Sequence, residues 1–224
     1  MGPKFMSVKT EYFDISPEIS ESLAVWPGDE KYRRLVNIDF KKGGNLLLSS
    51  IQTTVHLGAH TDAPNHYNSS GEGIGERKLD YYLGQCQVIT ALKPRGSRIL
   101  PEDLGGDSGE GLGAVKILAQ RVLIKTQSFP DPNQWNSDFN SLSPELIEYL
   151  ADRGVILVGI DTPSIDLFDD KVLLSHNAVH SRNLAILEGV VLDAVPDGIY
   201  TLVALPLRLK DADASPVRAI LLKN

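Results

Sequence analysis

Ser49-Ser50-Ile51-Gln52-Thr53-Thr54-Val55 leads into His56-Leu57-Gly58-Ala59-His60-Thr61-Asp62-Ala63-Pro64-Asn65-His66, and the conformation of this stretch decides both the fold class and the chemistry. Three of the chain's five histidines stand here with an aspartate among them. Imidazole and carboxylate together are a common ligand set for zinc and its neighbours, and a surplus histidine beside such a set is a natural proton carrier. In a helix His56 and His60 would share a face, but Asp62 would lie about 200° around from His60. Gly58 and Pro64 also oppose a helix. In an extended strand side chains alternate, so positions 56, 60 and 62 project to one side. The β-branched, alternating lead-in suits a strand. The expectation is a strand end that presents ligands on one face, with Pro64 stopping the ladder.

Outward from that run, strand-like segments recur at 35–39, 46–55, 85–92, 121–126, 155–160, 189–194, 198–205 and 217–222, most of them rich in Val, Ile, Leu and Thr. One helix is well signalled at 144–152: Ser143 as N-cap, Pro144 at the first position, Glu145 in the first turn and Gly154 past the end. Leu146, Ile147, Leu150 and Ala151 form its apolar stripe. A second helix is expected from His176 to about Ala185. Strands outnumber helices without a compositional break, which predicts one α/β domain over residues 1–224, with a mixed β-sheet core and few helices. The glycine-rich segment 96–116 lacks the Gly-Lys-Ser/Thr ending of a phosphate loop and reads as a solvent-facing insertion.

Composition narrows the function. The 224 residues are 42% hydrophobic and 23% charged, ordinary for a soluble globular protein. A net charge of -7 gives no electrostatic footprint for nucleic acid or acidic membranes. The lone cysteine, Cys86, rules out an intrachain disulfide and a multi-thiolate metal site, and reads as a small buried hydrophobe. No apolar run approaches membrane-spanning length. The first six residues lack the apolar core of a signal peptide, and two readings of residues 1–5 stand open, native sequence or an addition ahead of a start at Met6; the expected location is cytoplasmic.

His56, His60 and Asp62 are candidate metal ligands, and three protein ligands leave an open position for water, as in catalytic sites. His66, beyond the proline, is either a fourth ligand or a general acid/base. Glu188 stands in the apolar run 184–192, where a carboxylate is costly to bury unless it meets a cation, and so is a further ligand candidate. His176 and His180 read, each alone, as structural. Asp161, Thr162 and Asp166 are candidates for orienting ligands or shaping the pocket. Trp26, between Val25 and Pro27, reads from composition as a packing residue.

The run from His56 to His66 resembles the H-x-G-[TA]-H-x-D-x-P-x-H signature of the cyclase/metal-dependent hydrolase family, and within it the bacterial kynurenine formamidase branch. Asp14-Ile15-Ser16-Pro17, Val25-Trp26-Pro27-Gly28-Asp29, the stretch 158–164 and Ala185-Ile186-Leu187-Glu188-Gly189 carry the same likeness, which spans almost the whole chain. The resemblance implies a single cyclase-like domain of the swivelling β/β/α type and two Zn2+ per chain, with Mn2+ as the other candidate. His56, His60 and Asp62 would hold one zinc; Asp62 would bridge to a second, bound also by His176, and Glu188 would complete the site. His66 would be the catalytic acid/base and Trp26 would contact the substrate's aromatic ring. His180 matches no ligand position. The likeness also implies a homodimer or higher homo-oligomer.

The implied reaction is hydrolysis of N-formyl-L-kynurenine, a small-molecule aryl formamide, to L-kynurenine and formate in tryptophan degradation. An amide carbon is a poor electrophile, and a metal that lowers the pKa of water from about 15.7 toward 7 meets that need. Two alternatives stand beside it: hydrolysis of another aryl or cyclic amide such as isatin, and a non-catalytic metal-binding protein. A metallo-β-lactamase site fits less well, because its H-x-H-x-D-H spacing puts different side chains on one strand face.

Overall fold

The computed structural model describes residues 11–105 and 115–223. In chain order its strands are β1 (Tyr12–Asp14), β2 (Arg33–Ile38), β3 (Leu48–Gln52), β4 (His60–Asp62), β5 (Leu83–Thr90), β6 (Arg98–Ile99) and β7 (Arg121–Lys125). There follow β8 (Ser141–Leu142), β9 (Leu157–Ile160), β10 (Ala185–Leu187), β11 (Gly198–Val203), β12 (Ala214–Pro216) and β13 (Ile220–Lys223). Three α-helices join them: α1 (Pro64–Tyr67), α2 (Pro144–Ala151) and α3 (Leu174–Arg182).

Seven strands form the central sheet in the order β1-β13-β11-β5-β7-β9-β10. Pairing is parallel from β5 through β10 and antiparallel from β5 to β1, so the sheet is mixed. Alternate residues of the central strands enter two different cores. Cys86, Val88, Leu123 and Leu157 join one cluster, whereas Ile89, Val122, Ile124, Val158 and Ile160 join the other. Burial on both faces explains why these strands read as continuous apolar runs rather than alternating ones. The apolar side of α2 (Leu146, Ile147, Leu150) and Val179 of α3 cover the second face. Cys86 is fully buried and its thiol is pushed up by desolvation, so it is an inert packing residue.

Four local expectations are corrected. The strand does not run from 46 through the histidine cluster: β3 ends at Gln52, the chain turns through Gly58 in the left-handed region (φ 56°), and only His60–Asp62 is strand. Pro64 begins the single turn α1, with its fixed φ suited to the first helical position. The stretch 189–194 is not a strand; the β9–β10 ladder stops at Leu187, Glu188 makes a single bridge to His60, and Gly189 then turns the chain at φ 65°. Helix α3 starts earlier and stops earlier than expected. Its end is set by Asn183 in the left-handed conformation, whose N–H reaches the His180 and Val179 carbonyls, which frees Ala185 for β10. Of the insertion expected at 96–116, residues 98–99 are strand and Pro101–Asp103 a 3-10 turn, while 106–114 lie outside the described residues, as do 1–5.

Gly189 is also a packing requirement. A Cβ there would stand 2.2 Å from the Gly58 carbonyl oxygen. With that overlap added to the left-handed backbone, Gly189→Ala should cost about 3 kcal/mol of stability in urea unfolding, and a loss below about 1 kcal/mol would contradict this packing.

Candidate metal centre

The site lies beyond the carboxyl ends of three neighbouring parallel strands, where open α/β sheets place their ligands. Thr126 follows β7, Asp161 follows β9 and Glu188 follows β10. Two backbone pairings bring the histidine run there. His60 and Glu188 exchange N–H···O=C bonds of 3.1 and 2.9 Å, and β4 pairs with β12 through Asp62 opposite Ala214.

The side chains converge on the Asp62 carboxylate, which is almost wholly buried. Its Oδ1 lies 3.0 Å from His56 Nδ1 and 3.5 Å from His60 Nε2. Its Oδ2 lies 3.4 Å from His176 Nε2 and 4.0 Å from His66 Nε2. Glu188 spans the same two sides, with Oε2 3.2 Å from His60 Nε2 and Oε1 3.8 Å from His176 Nε2. Each carboxylate thus faces one histidine set with one oxygen and another set with the other.

The far nitrogen of each ring is held. His60 Nδ1 donates to the Gly58 carbonyl at 2.8 Å, which fixes the proton on Nδ1 and leaves Nε2 with its lone pair. His176 Nδ1 pairs with Asp166 Oδ2 at 2.8 Å, and His56 Nε2 with Asp213 Oδ2 at 2.9 Å. Outer carboxylates and carbonyls that fix tautomer and ring orientation accompany most metal-binding histidines. Asp166 itself is anchored at the start of α3, accepting from the Ser175 and His176 N–H groups and from Arg98.

These residues fit a divalent cation. His176 Nε2 and Asp62 Oδ1 are buried with no hydrogen-bond partner among the described residues, a costly state unless an ion or water joins them. Ligand atoms of His56, Asp62 and His66 lie within 4.8 Å of one another, and so do those of His60, Asp62 and Glu188. The donors are imidazole and carboxylate, which suit zinc and manganese alike.

The metal-free electrostatics follow. Burial opposes charge on His176, yet Asp166 and Asp62 outweigh it and hold the ring up to about 10; His56, likewise opposed by burial, is held by Asp62 and Asp213 at about 9. Burial would raise Asp62, but the histidines beside it hold it well below the usual range. Raised histidines stabilise the metal-free fold fully below their unfolded pKa of about 6.5, and that contribution disappears as pH rises through about 9 to 10. Chelator-treated protein should therefore melt at progressively lower temperature from neutral pH to pH 10, whereas metal binding, which must displace those protons, should tighten over the same range. A chelated protein that gains stability across this window would contradict the assignment.

Above the cluster stands an aromatic wall. Trp26 lies 5.2 Å from Trp135 and 5.1 Å from Phe168, ring centre to ring centre. Trp26, Trp135 and Phe129 line a cavity of about 260 Å³ whose floor holds His60, Asp62, His176 and Glu188. Trp26 accordingly both packs and faces the cavity. His66 is exposed on α1, with Nδ1 3.5 Å from Asp213 Oδ2.

Of the other residues singled out in the sequence, Asp161 takes the Thr126 and Gln127 N–H groups and the Thr126 hydroxyl, shaping the turn that leads to Phe129. Thr162 caps its own turn through the Ser164 carbonyl. His180 pairs with Asn68 and not with the cluster. Asp213 was missed, since nothing in its neighbourhood in the sequence marks it.

The Cyclase family profile matches residues 13–167. Kynurenine formamidase of Bordetella petrii is 43% identical over 209 residues, covering 93% of this chain and 96% of that protein. A structure from Bacillus stearothermophilus, described as a predicted metal-dependent hydrolase, superposes with a TM-score of 0.79 at 26% identity over 97% of this chain and all of its own. Isatin hydrolase A from Labrenzia aggregata shares the fold, with a TM-score of 0.78 at 20% identity over 95% of this chain and 93% of that one.

Proposed function

The chain belongs to the cyclase family, and from that membership we propose that it is a metal-dependent amidohydrolase that cleaves N-formyl-L-kynurenine to L-kynurenine and formate, a step of tryptophan degradation. The observation that carries the reading is a single cavity whose wall is aromatic and whose floor is a buried histidine–carboxylate cluster, in a chain 43% identical to a kynurenine formamidase.

His56, His60 and Asp62 are proposed to hold one zinc, Asp62 to bridge to a second that His176 also binds, and Glu188 to complete the site, with manganese as the other candidate metal. The two-sided placement of both carboxylates supports this reading, since a carboxylate can join two cations through its two oxygens. Bound there, the metals would lower the pKa of water and polarise the formyl oxygen.

The protein's own groups do the rest. Trp26, backed by Trp135, receives the aryl ring and sets the formyl group over the cluster. His66 Nε2 takes the proton from the attacking water as its oxygen bonds to the formyl carbon. The C–N bond then breaks, and the same nitrogen delivers the proton to the departing arylamine, releasing formate. The Asp213 carboxylate beside Nδ1 keeps the ring turned so that Nε2 faces Asp62. The partial exposure of His66 lets it exchange protons with solvent. A homodimer or larger homo-oligomer, residing in the cytoplasm, belongs to the same proposal; no helix among the described residues is long and apolar enough to cross a membrane.

The test is a product assay on metal-replete protein with N-formyl-L-kynurenine and, separately, isatin. Appearance of L-kynurenine is expected. Turnover of isatin alone would overturn the substrate, and a metal-loaded protein inert toward every aryl amide would overturn the enzyme reading in favour of a metal-binding protein.

A further inference from the structure

The stretch 96–116, glycine-rich and set apart by composition, carries one side chain that supports the cluster. Arg98 stands on β6, where pairing with β8 fixes its backbone, Arg98 opposite Ser141 and Ile99 opposite Leu142. From there its guanidinium lies across two carboxylates of the segment that precedes α3. Nη1 donates to Asp166 Oδ1 at 2.9 Å, and Nη2 donates to Asp170 Oδ2. Nη1 also reaches the Ser175 hydroxyl at 2.9 Å and the Leu142 carbonyl at 3.1 Å. A planar fork holds two carboxylates at a set spacing, which the point charge of a lysine does not.

The two carboxylates stand in for an N-cap. Leu173, ahead of α3, is in the left-handed region at φ 56° and offers no side-chain cap. Asp170 instead takes the Val172, Leu173 and Leu174 N–H groups, and Asp166 takes those of Ser175 and His176. Anions suit a helix start but repel each other, and Arg98 is the only Lys or Arg paired with either among the described residues. Asp166 is almost wholly buried, where a carboxylate needs such a partner. The contacts end on a metal-ligand candidate. Asp166 Oδ2 accepts from the His176 N–H at 3.0 Å and pairs with His176 Nδ1 at 2.8 Å, so one carboxylate sets both the backbone and the ring. The far nitrogen, Nε2, is left buried and unpartnered, 3.4 Å from Asp62 Oδ2. The rings on the other side are held by different groups, His60 by the Gly58 carbonyl and His56 by Asp213.

We propose that Arg98 is a positioning residue for one of the two ions. Through Asp166 it holds the His176 ring in the orientation of a ligand, so that the His176 side of the cluster binds its ion tightly only with Arg98 in place. The His56 and His60 side binds its ion without that support. Arg98 does not line the cavity, so it acts on the site only through Asp166 and the start of α3. The inference rests on the two-metal reading of the proposed function, and its test reads metal binding rather than turnover.

The test is calorimetric titration of chelator-stripped full-length chain with zinc, with elemental analysis after dialysis. The wild type should take up two ions. Arg98→Met removes charge and fork together and should weaken one of the two ions by about 100-fold, while Arg98→Lys, which keeps the charge, should weaken the same ion by about 10-fold. In both variants the other ion should keep its affinity to within about threefold, the scale at which an outer contact no longer counts. That ion is the internal reference, because a general loosening of the fold would weaken the two together. Arg98→Lys keeps a cation between the carboxylates, so it decides the matter where Arg98→Met does not fold. Equal weakening of both ions, or two ions bound with wild-type affinity by a folded variant, would overturn the inference and leave the two-metal reading standing. A wild-type chain that binds fewer than two ions would overturn that reading and the inference with it.

Discussion

Asp62→Asn is expected to abolish hydrolysis, by about 10³-fold or more, and to strip metal from the protein at the same time. The substitution keeps the size of the side chain and the β4–β12 pairing that positions it. It removes the charge on which four histidines converge, and replaces one oxygen by an NH2 group that cannot accept. His56 and His60 on one side and His176 on the other would lose the carboxylate they share, 3.0 to 3.5 Å away. Elemental analysis after dialysis and the formyl-kynurenine assay check the two halves. A variant that keeps its metal and a tenth of its turnover would remove Asp62 from the centre of the account.

His66→Ala should separate the two functions that Asp62→Asn destroys together. Turnover should fall by about 10² to 10⁴, the usual contribution of a placed acid/base, with metal content and KM nearly unchanged. The structural basis is position: His66 is the exposed histidine of the cluster, its Nε2 is the farthest of the four from Asp62 at 4.0 Å, and its Nδ1 faces Asp213. It also lies close enough to His56 and Asp62 to share a cation with them. The variant decides between these roles. If metal is lost with activity and both return on adding zinc, His66 is a ligand and the proton must travel by another group.

The site was more legible than the path of the chain through it. Histidine and aspartate crowded between residues 56 and 66 announce a metal whatever the backbone does, and Glu188 betrays itself by being a charge inside an apolar run. The strand parity that seemed to explain the convergence is wrong in its particulars: Gly58 breaks the strand, and His56 reaches Asp62 from a turn while His60 reaches it from β4. Long apolar segments gave the central sheet correctly because burial on both faces leaves little other choice. Boundaries failed where one left-handed residue turns the chain, Gly189 just past β10 and Asn183 after α3. Asp213 could not be read at all. Its partner His56 is 157 residues away, and an aspartate between two alanine-containing steps near the C-terminus looks like any solvated carboxylate until the β4–β12 pairing brings it to the cluster.

The β2–β3 hairpin was legible as strands but not as exposed on both of them, because sequence shows apolar residues without showing whether anything covers them. The same limit applies to Trp26, where packing against Trp135 and facing the cavity leave one and the same signature in the sequence.

Metal titration of chelator-stripped protein, followed by kynurenine release, tests the central claim most directly. Turnover should be absent in the stripped protein, rise with added zinc and level off at two ions per chain, with the cluster around Asp62 as the place they bind. Hydrolysis at full rate by protein shown by elemental analysis to be metal-free would contradict the account.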